Sequence, residues 1–218
     1  MVAKTLAIAQ QKGGAGKTTI AIQLGVAWAQ QGFRVAMLDV DPQGSMVAWY
    51  GLRKESVVES SLMAVDVQGW KLSNEIDRLK HDFDVLLIDT PPHAETDARV
   101  AVRAADLTLV PIQPSPMDLW ATKPTLDLAK REKSRALLVL NRLPSRGKLA
   151  DLIRAKIDTE QMPVAQTVLG NRSAFAASMM GGRGVVETQP KGTAAGEIRD
   201  LAREISSILA LSAQRAAE

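Results

Sequence analysis

The chain of 218 residues alternates short apolar runs with longer segments of helical periodicity, and this alternation restricts the possible folds strongly. Each apolar run is almost continuous, which is typical of a strand covered on both faces. The predicted strands are residues 5–9, 35–39, 85–89, 107–111 and 137–141. The predicted helices are residues 18–30, 70–80, 97–104, 118–133, 148–158, 173–180 and 193–211.

Strand–helix alternation predicts an α/β fold with a mainly parallel, twisted sheet and helices on both faces, because parallel strands need crossover connections. The length predicts a single domain over residues 1–218. The apolar run at residues 6–9 is far shorter than the roughly 20 residues of a membrane-spanning helix. It is also too short for a secretory signal, so we expect a cytoplasmic protein.

Composition excludes several kinds of site. The chain has no cysteine, which excludes disulfides, cysteine-ligated zinc, iron–sulfur clusters and a cysteine nucleophile. The chain has only two histidines, His81 and His93, and this small number disfavours a histidine metal centre or a Ser-His-Asp triad.

The most informative motif is Lys-Gly-Gly-Ala-Gly-Lys-Thr-Thr at residues 12–19, between the first strand and the first helix. Glycines let successive backbone N–H groups surround phosphate oxygens, and the helix N-terminus adds its positive end. Lys17 is predicted to contact the β- and γ-phosphates and Thr18 to bind Mg²⁺. The usual pattern has glycine at position 11, where this chain has Gln11 followed by a second lysine, Lys12.

A dinucleotide-binding site is the main alternative for this loop, because Asp39 ends the second strand about twenty residues on, where a ribose-binding acid would lie. The third glycine of that fingerprint would fall at Thr19, however, and Lys17 has no role in it. The sequence therefore favours a nucleoside triphosphate.

Carboxylates follow two of the predicted strands. Asp89 ends one apolar strand, a position from which an aspartate holds Mg²⁺ directly or through water. Asp39 ends the neighbouring strand and Asp41 follows it, and this segment could orient the attacking water. A single acid there is commonly a helix cap or a turn residue, whereas all of them in one crevice with the loop favour a site.

These residues resemble the deviant Walker A ATPases of the ParA/MinD group, whose signature reads Lys-Gly-Gly-x-Gly-Lys-Thr/Ser. The resemblance runs from residue 4 to about residue 209, and it is greatest to short ParA proteins such as ParF, which lack an N-terminal helix-turn-helix. Residues 39–45 match the switch segment of the group and residues 88–92 match its Walker B region. The Pro-rich residues 112–119 are similar to an element of ParF-like proteins.

The resemblance implies ATP and Mg²⁺ as cofactors and a role for each matching residue. Lys12 would reach the ATP of a partner subunit, Lys17 would act in its own subunit, and Asp41 would position the hydrolytic water. Thr18, Asp39 and Asp89 would support the metal. ATP would be bound by Gly13, Gly14, Ala15, Gly16, Lys17, Thr18, Thr19, Asn141 and Arg142, although a buried capping asparagine would have the same context as Asn141. The Pro-rich segment would join the adenine pocket or self-association, or would be an ordinary loop.

Basic residues are concentrated between residues 130 and 156, which hold nine Lys or Arg and two acids, whereas the rest of the chain is net negative. A local excess of this kind can attract DNA, although it can also be a solvated surface. The chain has no recognition-helix motif, so we expect non-specific phosphate contacts. The candidates for DNA contact are Arg142, Arg146, Lys148, Arg154 and, more loosely, Arg172.

The predicted function is therefore that of a ParA-type ATPase. It would form a homodimer on ATP, bind DNA non-specifically at the nucleoid, and be released by slow hydrolysis that an adaptor of the ParB or ParG kind, or the cargo protein, stimulates. The cargo would be a plasmid, a chromosomal origin or a protein cluster. One alternative is an accessory DNA-binding protein of a DNA-transfer system. Another is a MinD-like membrane regulator, but residues 210–218 have one Arg and no bulky apolar residue after Leu211, unlike a membrane anchor.

Overall fold

Six parallel strands form one sheet in the computed structural model, which describes residues 2–57, 61–92, 95–146 and 148–211. The strand order is β3-β2-β4-β1-β5-β6, and every neighbouring pair is parallel. The strands are β1 (Lys4–Ile8), β2 (Val35–Asp39), β3 (Leu62–Asp66), β4 (Val85–Asp89), β5 (Leu107–Ile112) and β6 (Arg135–Leu140).

Nine α-helices lie in the described part of the chain. They are α1 (Lys17–Gln30), α2 (Ser45–Ser56), α3 (Leu72–Leu79), α4 (Glu95–Ala104), α5 (Pro116–Arg131), α6 (Leu149–Thr159), α7 (Ser173–Met179), α8 (Val185–Thr188) and α9 (Thr193–Leu209). A 3₁₀ turn, Gly69–Lys71, precedes α3. Helices α1, α2 and α7–α9 pack on one face of the sheet, and α3–α6 pack on the other.

The two faces follow from alternation along the strands. In β1, Leu6 and Ile8 face the layer of α1 and α9, while Ala7 faces the layer of α3 and α4. Both sets are fully buried, which explains the nearly continuous apolar runs. The predicted α/β fold, with a parallel sheet covered on both faces, is confirmed.

A glycine in helix α1 allows this helix to pack closely against the sheet. A Cβ added to Gly25 would lie 2.7 Å from Sδ of Met37 and 3.3 Å from Cδ1 of Leu87. On its other side α1 contacts the C-terminal helices through two polar side chains. Trp28 Nε1 donates to Ser206 Oγ at 2.9 Å, and the fully buried Gln23 bonds α7 and the start of α8.

The five predicted strands and seven predicted helices are all present, with ends shifted by a few residues. The strand predicted at 137–141 is Arg135–Leu140, and the helix predicted at 70–80 is the 3₁₀ turn followed by α3. The prediction omitted β3, α2 and the single turn α8. No helix among residues 2–57, 61–92, 95–146 and 148–211 is long and apolar enough to cross a membrane. Residues 212–218 of the predicted polar tail lie outside the described residues.

Candidate functional site

The glycine-rich loop joins the carboxyl end of β1 to the start of α1. Its last glycine, Gly16, has φ of 93°, a left-handed conformation that costs an L-residue about 1–2 kcal/mol. A Cβ at Gly16 would also lie 2.5 Å from Nδ2 of Asn141. Glycine is therefore required here for both its backbone angle and its size. The loop leads directly into Lys17 and Thr18 in the first turn of α1.

Two side-chain amides from other elements hold this loop. Gln113, after β5, donates from Nε2 to the carbonyl oxygen of Gly14 at 2.9 Å. Asn141, after β6, donates from Nδ2 to the carbonyl oxygen of Ala15 at 2.8 Å. These two bonds occupy consecutive carbonyl oxygens of the loop, and a loop of this kind binds phosphate oxygens through its N–H groups.

Asn141 therefore braces the loop in this structure, as the capping interpretation implies. It is almost fully buried, and its Oδ1 accepts the backbone N–H of Arg142 at 2.9 Å. Arg142 itself is exposed and has a positive φ of 53°. The predicted adenine contact of these two residues stays a prediction.

Thr18 and Asp89 meet at the carboxyl edge of the sheet. The Thr18 hydroxyl donates to Oδ2 of Asp89 at 2.6 Å, while the buried Oδ1 of Asp89 has no hydrogen-bond partner among the described residues. Burial raises the pKa of Asp89 to about 7; the Thr18 hydrogen bond opposes this rise, while the nearby Asp39 adds to it. A hydroxyl beside a buried carboxylate oxygen that lacks a partner fits Mg²⁺, which prefers oxygen ligands.

Asp39 lies opposite Asp89 in the register of β2 and β4. One of its oxygens accepts the N–H groups of Met46 and Val47, at 2.9 and 3.2 Å, and so caps the start of α2. Its other oxygen accepts the N–H of Asp41 at 3.2 Å. Burial raises the pKa of Asp39, and these hydrogen bonds oppose the rise. The structure thus places Asp39 beside the predicted metal site, where it also anchors α2.

Asp41 and Lys17 complete the centre of the site. Asp41 is half-buried in the loop between β2 and α2, and its Oδ1 accepts the N–H of Gln43 at 3.0 Å. Lys17 is buried, and burial lowers its pKa while the charges of Asp89 and Asp41 oppose that shift. The structure therefore brings together the predicted lysine, the hydroxyl and the three carboxylates.

Lys12 is bound to a residue outside this centre. Its ammonium group forms an ion pair with Oδ2 of Asp118, in the first turn of α5. Asp118 is 1% exposed, whereas the Lys12 side chain is 39% exposed. Oδ1 of Asp118 has no hydrogen-bond partner within the described residues. The signature lysine is thus held within its own subunit, at the edge of the site.

The sequence did not predict a role for Asp118 or for Gln113. Both lie in the Pro-rich segment, and the only local signal was an acidic residue in a first helical turn. Their partners, Lys12 and Gly14, are about a hundred residues away in the chain. The Pro-rich segment therefore contacts the phosphate-binding loop, while its predicted role in the adenine pocket or in self-association stays a prediction.

A cavity of about 720 Å³ opens beside the loop. Its walls include Gly16 and Thr19 on one side, Asn141 and Arg142 on a second, and Phe175 on α7. This volume lies within the range of small-molecule sites, roughly 300–1,000 Å³. The cavity adjoins the residues predicted to bind ATP.

The basic stretch is divided between the two ends of β6. Lys130, Arg131 and Lys133 lie near the end of α5, before β6, whereas Arg142 and Arg146 follow it. Six residues of strand span roughly 20 Å, so the stretch is not one patch. Arg142, Arg146, Lys148 and Arg154 are exposed and follow one another after β6. Arg172 instead forms a two-pronged contact with Glu197, with Nε at 2.9 and 3.0 Å.

The sequence matches the CobQ/CobB/MinD/ParA nucleotide binding domain family over residues 6–186. The chain belongs to this family. Maintenance of carboxysome distribution protein A of Halothiobacillus neapolitanus is 31% identical over 213 residues, which cover 92% of this chain and 95% of that protein. Protein ParA of Rhizobium radiobacter is 32% identical over 126 residues, or 58% of this chain and 56% of the relative.

Solved structures of this family share the fold. The cell division ATPase MinD of Pyrococcus furiosus has a TM-score of 0.81 at 23% identity, covering 94% of this chain and 99% of its own. Cyanothece McdA in complex with ATP has a TM-score of 0.77 at 20% identity, covering 96% and 97%. The predicted membership of the ParA/MinD ATPases, with ATP and Mg²⁺ as cofactors, is confirmed.

Proposed function

We propose that this ATPase forms a sandwich dimer on binding ATP, binds DNA non-specifically as a dimer, and is released when ATP is hydrolysed. The observation that carries the proposal is the position of Lys12. It is the first residue of the phosphate-binding loop, and its side chain pairs with Asp118 of α5. A lysine at the exposed rim can serve a second subunit without leaving the first one incomplete, because Lys17 already lies at the centre of the site.

In this proposal each subunit binds its own nucleotide. The N–H groups of residues 13–19 and the ammonium of Lys17 bind the phosphates, and Thr18 and Asp89 hold Mg²⁺ with support from Asp39. The ion neutralises charge on the phosphates when it is bound. Asp41 accepts a hydrogen bond from the attacking water and orients it. Lys12 of each subunit then binds the other subunit's phosphates, so loss of the γ-phosphate weakens the dimer.

The cargo that best fits the comparisons is a protein assembly. The relative matched along almost the whole chain is named for the maintenance of carboxysome distribution, whereas the ParA match covers about half of this chain. We infer that this chain, a single domain over residues 1–218, positions a protein cluster at the nucleoid in the cytoplasm. A cargo-bound adaptor would stimulate its slow hydrolysis.

Non-specific DNA binding is assigned to the exposed basic residues after β6. Arg142, Arg146, Lys148 and Arg154 are exposed, and none of them has an ion pair among the described residues. Arg172 contributes less, because a phosphate would have to compete with Glu197 for its guanidinium group. Each lysine or arginine that contacts a phosphate makes the plot of log binding constant against log salt concentration steeper by roughly 0.9.

The test compares Lys12→Ala with the unchanged chain. Multi-angle light scattering should show an ATP-dependent dimer of the unchanged chain and only monomers of Lys12→Ala. The affinity of the monomer for ATP should be the same in both proteins. Asp41→Ala should form the dimer but release little phosphate. Lys4→Ala, which removes a half-buried lysine at the start of β1 at the opposite edge of the sheet, is the matched control. An ATP dimer that persists in Lys12→Ala would refute the proposed switch.

Binding to a random-sequence duplex tests the DNA step, with ATP, with ADP and without nucleotide. We expect tight binding with ATP alone, falling steeply with salt, and weaker binding by Arg154→Ala than by Arg172→Ala. Binding that ignores the nucleotide would instead favour an accessory DNA-binding protein.

A further inference from the structure

Arg172 lies beside the exposed basic segment that follows β6. The N–H of Leu143 donates to the carbonyl oxygen of Leu169 at 2.9 Å, and the carbonyl oxygen of Leu143 accepts the N–H of Asn171 at 2.8 Å. Because Arg142 is the chain neighbour of Leu143, this pairing places Arg142 and Arg172 on two adjacent segments. Both arginines line the 720 Å³ cavity. Arg172 is therefore close in space to the surface assigned to DNA, although it is distant in the chain.

A carboxylate on α9 holds the guanidinium group of Arg172. Nε of Arg172 donates to both carboxylate oxygens of Glu197, at 2.9 and 3.0 Å, and Nη2 donates to Oε1 at 2.5 Å. The Glu197 side chain is 16% exposed, and its Oε2 also accepts the N–H of Gly170 at 3.1 Å. One carboxylate thus orients both the arginine and the backbone just before it.

Gly170 provides the space for this contact. A Cβ added at Gly170 would lie 2.9 Å from each of Nε, Cζ and Nη2 of Arg172, so the guanidinium group lies across this glycine. The charge of Arg172 is therefore paired within the chain. Arg142 and Arg154 differ, because they are exposed and have no ion pair among the described residues.

We propose that Glu197 restrains Arg172 from binding DNA, and that a phosphate of the DNA backbone replaces this carboxylate when the guanidinium group is released. This inference rests on the proposed function, because it takes DNA binding as given and names a residue that limits it. Carboxylates and phosphates bind a guanidinium group in the same two-pronged geometry, so the two compete for one set of donors. The contact with Glu197 lowers the affinity for DNA and so favours release from it.

Glu197→Gln tests this restraint, with Glu204→Gln as the matched control. Glutamine keeps an acceptor for the N–H of Gly170, but its hydrogen bond with Arg172 is about half as strong as that of the carboxylate. Glu204 also lies on α9, accepts two backbone N–H groups and has no ion pair in the described part of the chain. Both substitutions remove one negative charge, so a general electrostatic effect on DNA is common to both.

The measurement is binding to a random-sequence duplex with saturating ATP, across a salt series. We expect Glu197→Gln to bind about tenfold more tightly than the unchanged chain at low salt. Its plot of log binding constant against log salt concentration should be steeper by roughly 0.9 for each Arg172 that gains a phosphate. Glu204→Gln should keep the slope of the unchanged chain. Equal gains in the two variants would overturn the proposal, as would a gain in Glu197→Gln that persists when Arg172→Ala is added.

Gly170→Ala gives a second measurement that leaves the net charge unchanged. Gly170 does not have a positive φ, so alanine fits its backbone, and the new methyl group displaces the guanidinium group from Glu197. We expect the same steeper slope and tighter binding, and their loss when Arg172→Ala is added. The affinity for ATP is measured alongside, because Gly170 lines the nucleotide cavity. An unchanged affinity for DNA at saturating ATP would contradict the restraint. If no protein binds DNA, including the unchanged chain, the proposed function itself fails.

Discussion

The ion pair between Lys12 and Asp118 predicts that replacing Asp118 strengthens the ATP dimer. Lys12 must leave Asp118 before it can reach a second subunit, so the pair opposes dimer formation. A hydrogen bond to a charged group contributes about 1.5–3 kcal/mol, and the exposure of Lys12 places this one at the low end. Asn at position 118 keeps a neutral acceptor, which forms a hydrogen bond about half as strong. Asp118→Asn should therefore release about 1 kcal/mol per chain.

Two such pairs break for each dimer, so the dimer should gain about 2 kcal/mol, roughly a 30-fold lower dissociation constant. Analytical ultracentrifugation with ATP, in the Asp41→Ala background, measures this constant. Asp151→Asn removes the same charge from an exposed site on α6 and should have no effect. An unchanged or weaker dimer of Asp118→Asn would show that the ion pair does not restrain Lys12.

Three further predictions concern stability and nucleotide binding. Gly25→Ala should destabilise the fold by about 1–3 kcal/mol in urea unfolding, because the sheet leaves no space for a methyl group there. Gly196→Ala, which has open space on α9, should stabilise the fold by about 0.5–1 kcal/mol. Equal effects of the two substitutions would contradict the close packing of α1. Glu187→Gln should lower the free energy of unfolding by about 2–3 kcal/mol, measured by thermal unfolding, since Arg53 is buried against this carboxylate. If this loss of stability is smaller at high salt than at low salt, the pair behaves as a surface pair. Asn141→Asp should weaken ATP binding in calorimetry by about tenfold, because it removes the donor that holds the phosphate-binding loop; unaltered affinity would rule this out.

The sequence predicted the centre of the sheet well because those strands are buried on both faces. The omitted strand β3 is an edge strand with only two buried residues, Leu62 and Ala64, so its apolar run is short. The omitted helix α2 buries Met46, Trp49 and Arg53. The periodic buried face of α2 thus ends in an arginine, which bonds Glu187, a residue 134 positions away in the chain.

The candidate site also has one part that the sequence predicted and another part that it did not. Residues 12–19 could be assigned from the sequence because a phosphate-binding loop is one contiguous segment whose chemistry depends on its own backbone. The contacts of Lys12 with Asp118 and of Gln113 with Gly14 join segments about a hundred residues apart. They depend on β5 pairing beside β1, which no local pattern specifies.

The buried hydrogen bonds of Gln23 have a consequence for the energetics of ligand binding. Gln23 Nε2 donates to Ser178 Oγ at 3.0 Å, and its Oε1 accepts the N–H of Val185 at 2.8 Å. Apolar contacts alone would let α7 slide along α1, whereas these directional bonds fix one position. Since Phe175 of α7 forms a wall of the 720 Å³ cavity, the width of the cavity is set before any ligand enters. Little conformational entropy is then lost on building that wall, and more of the interaction energy is available as affinity.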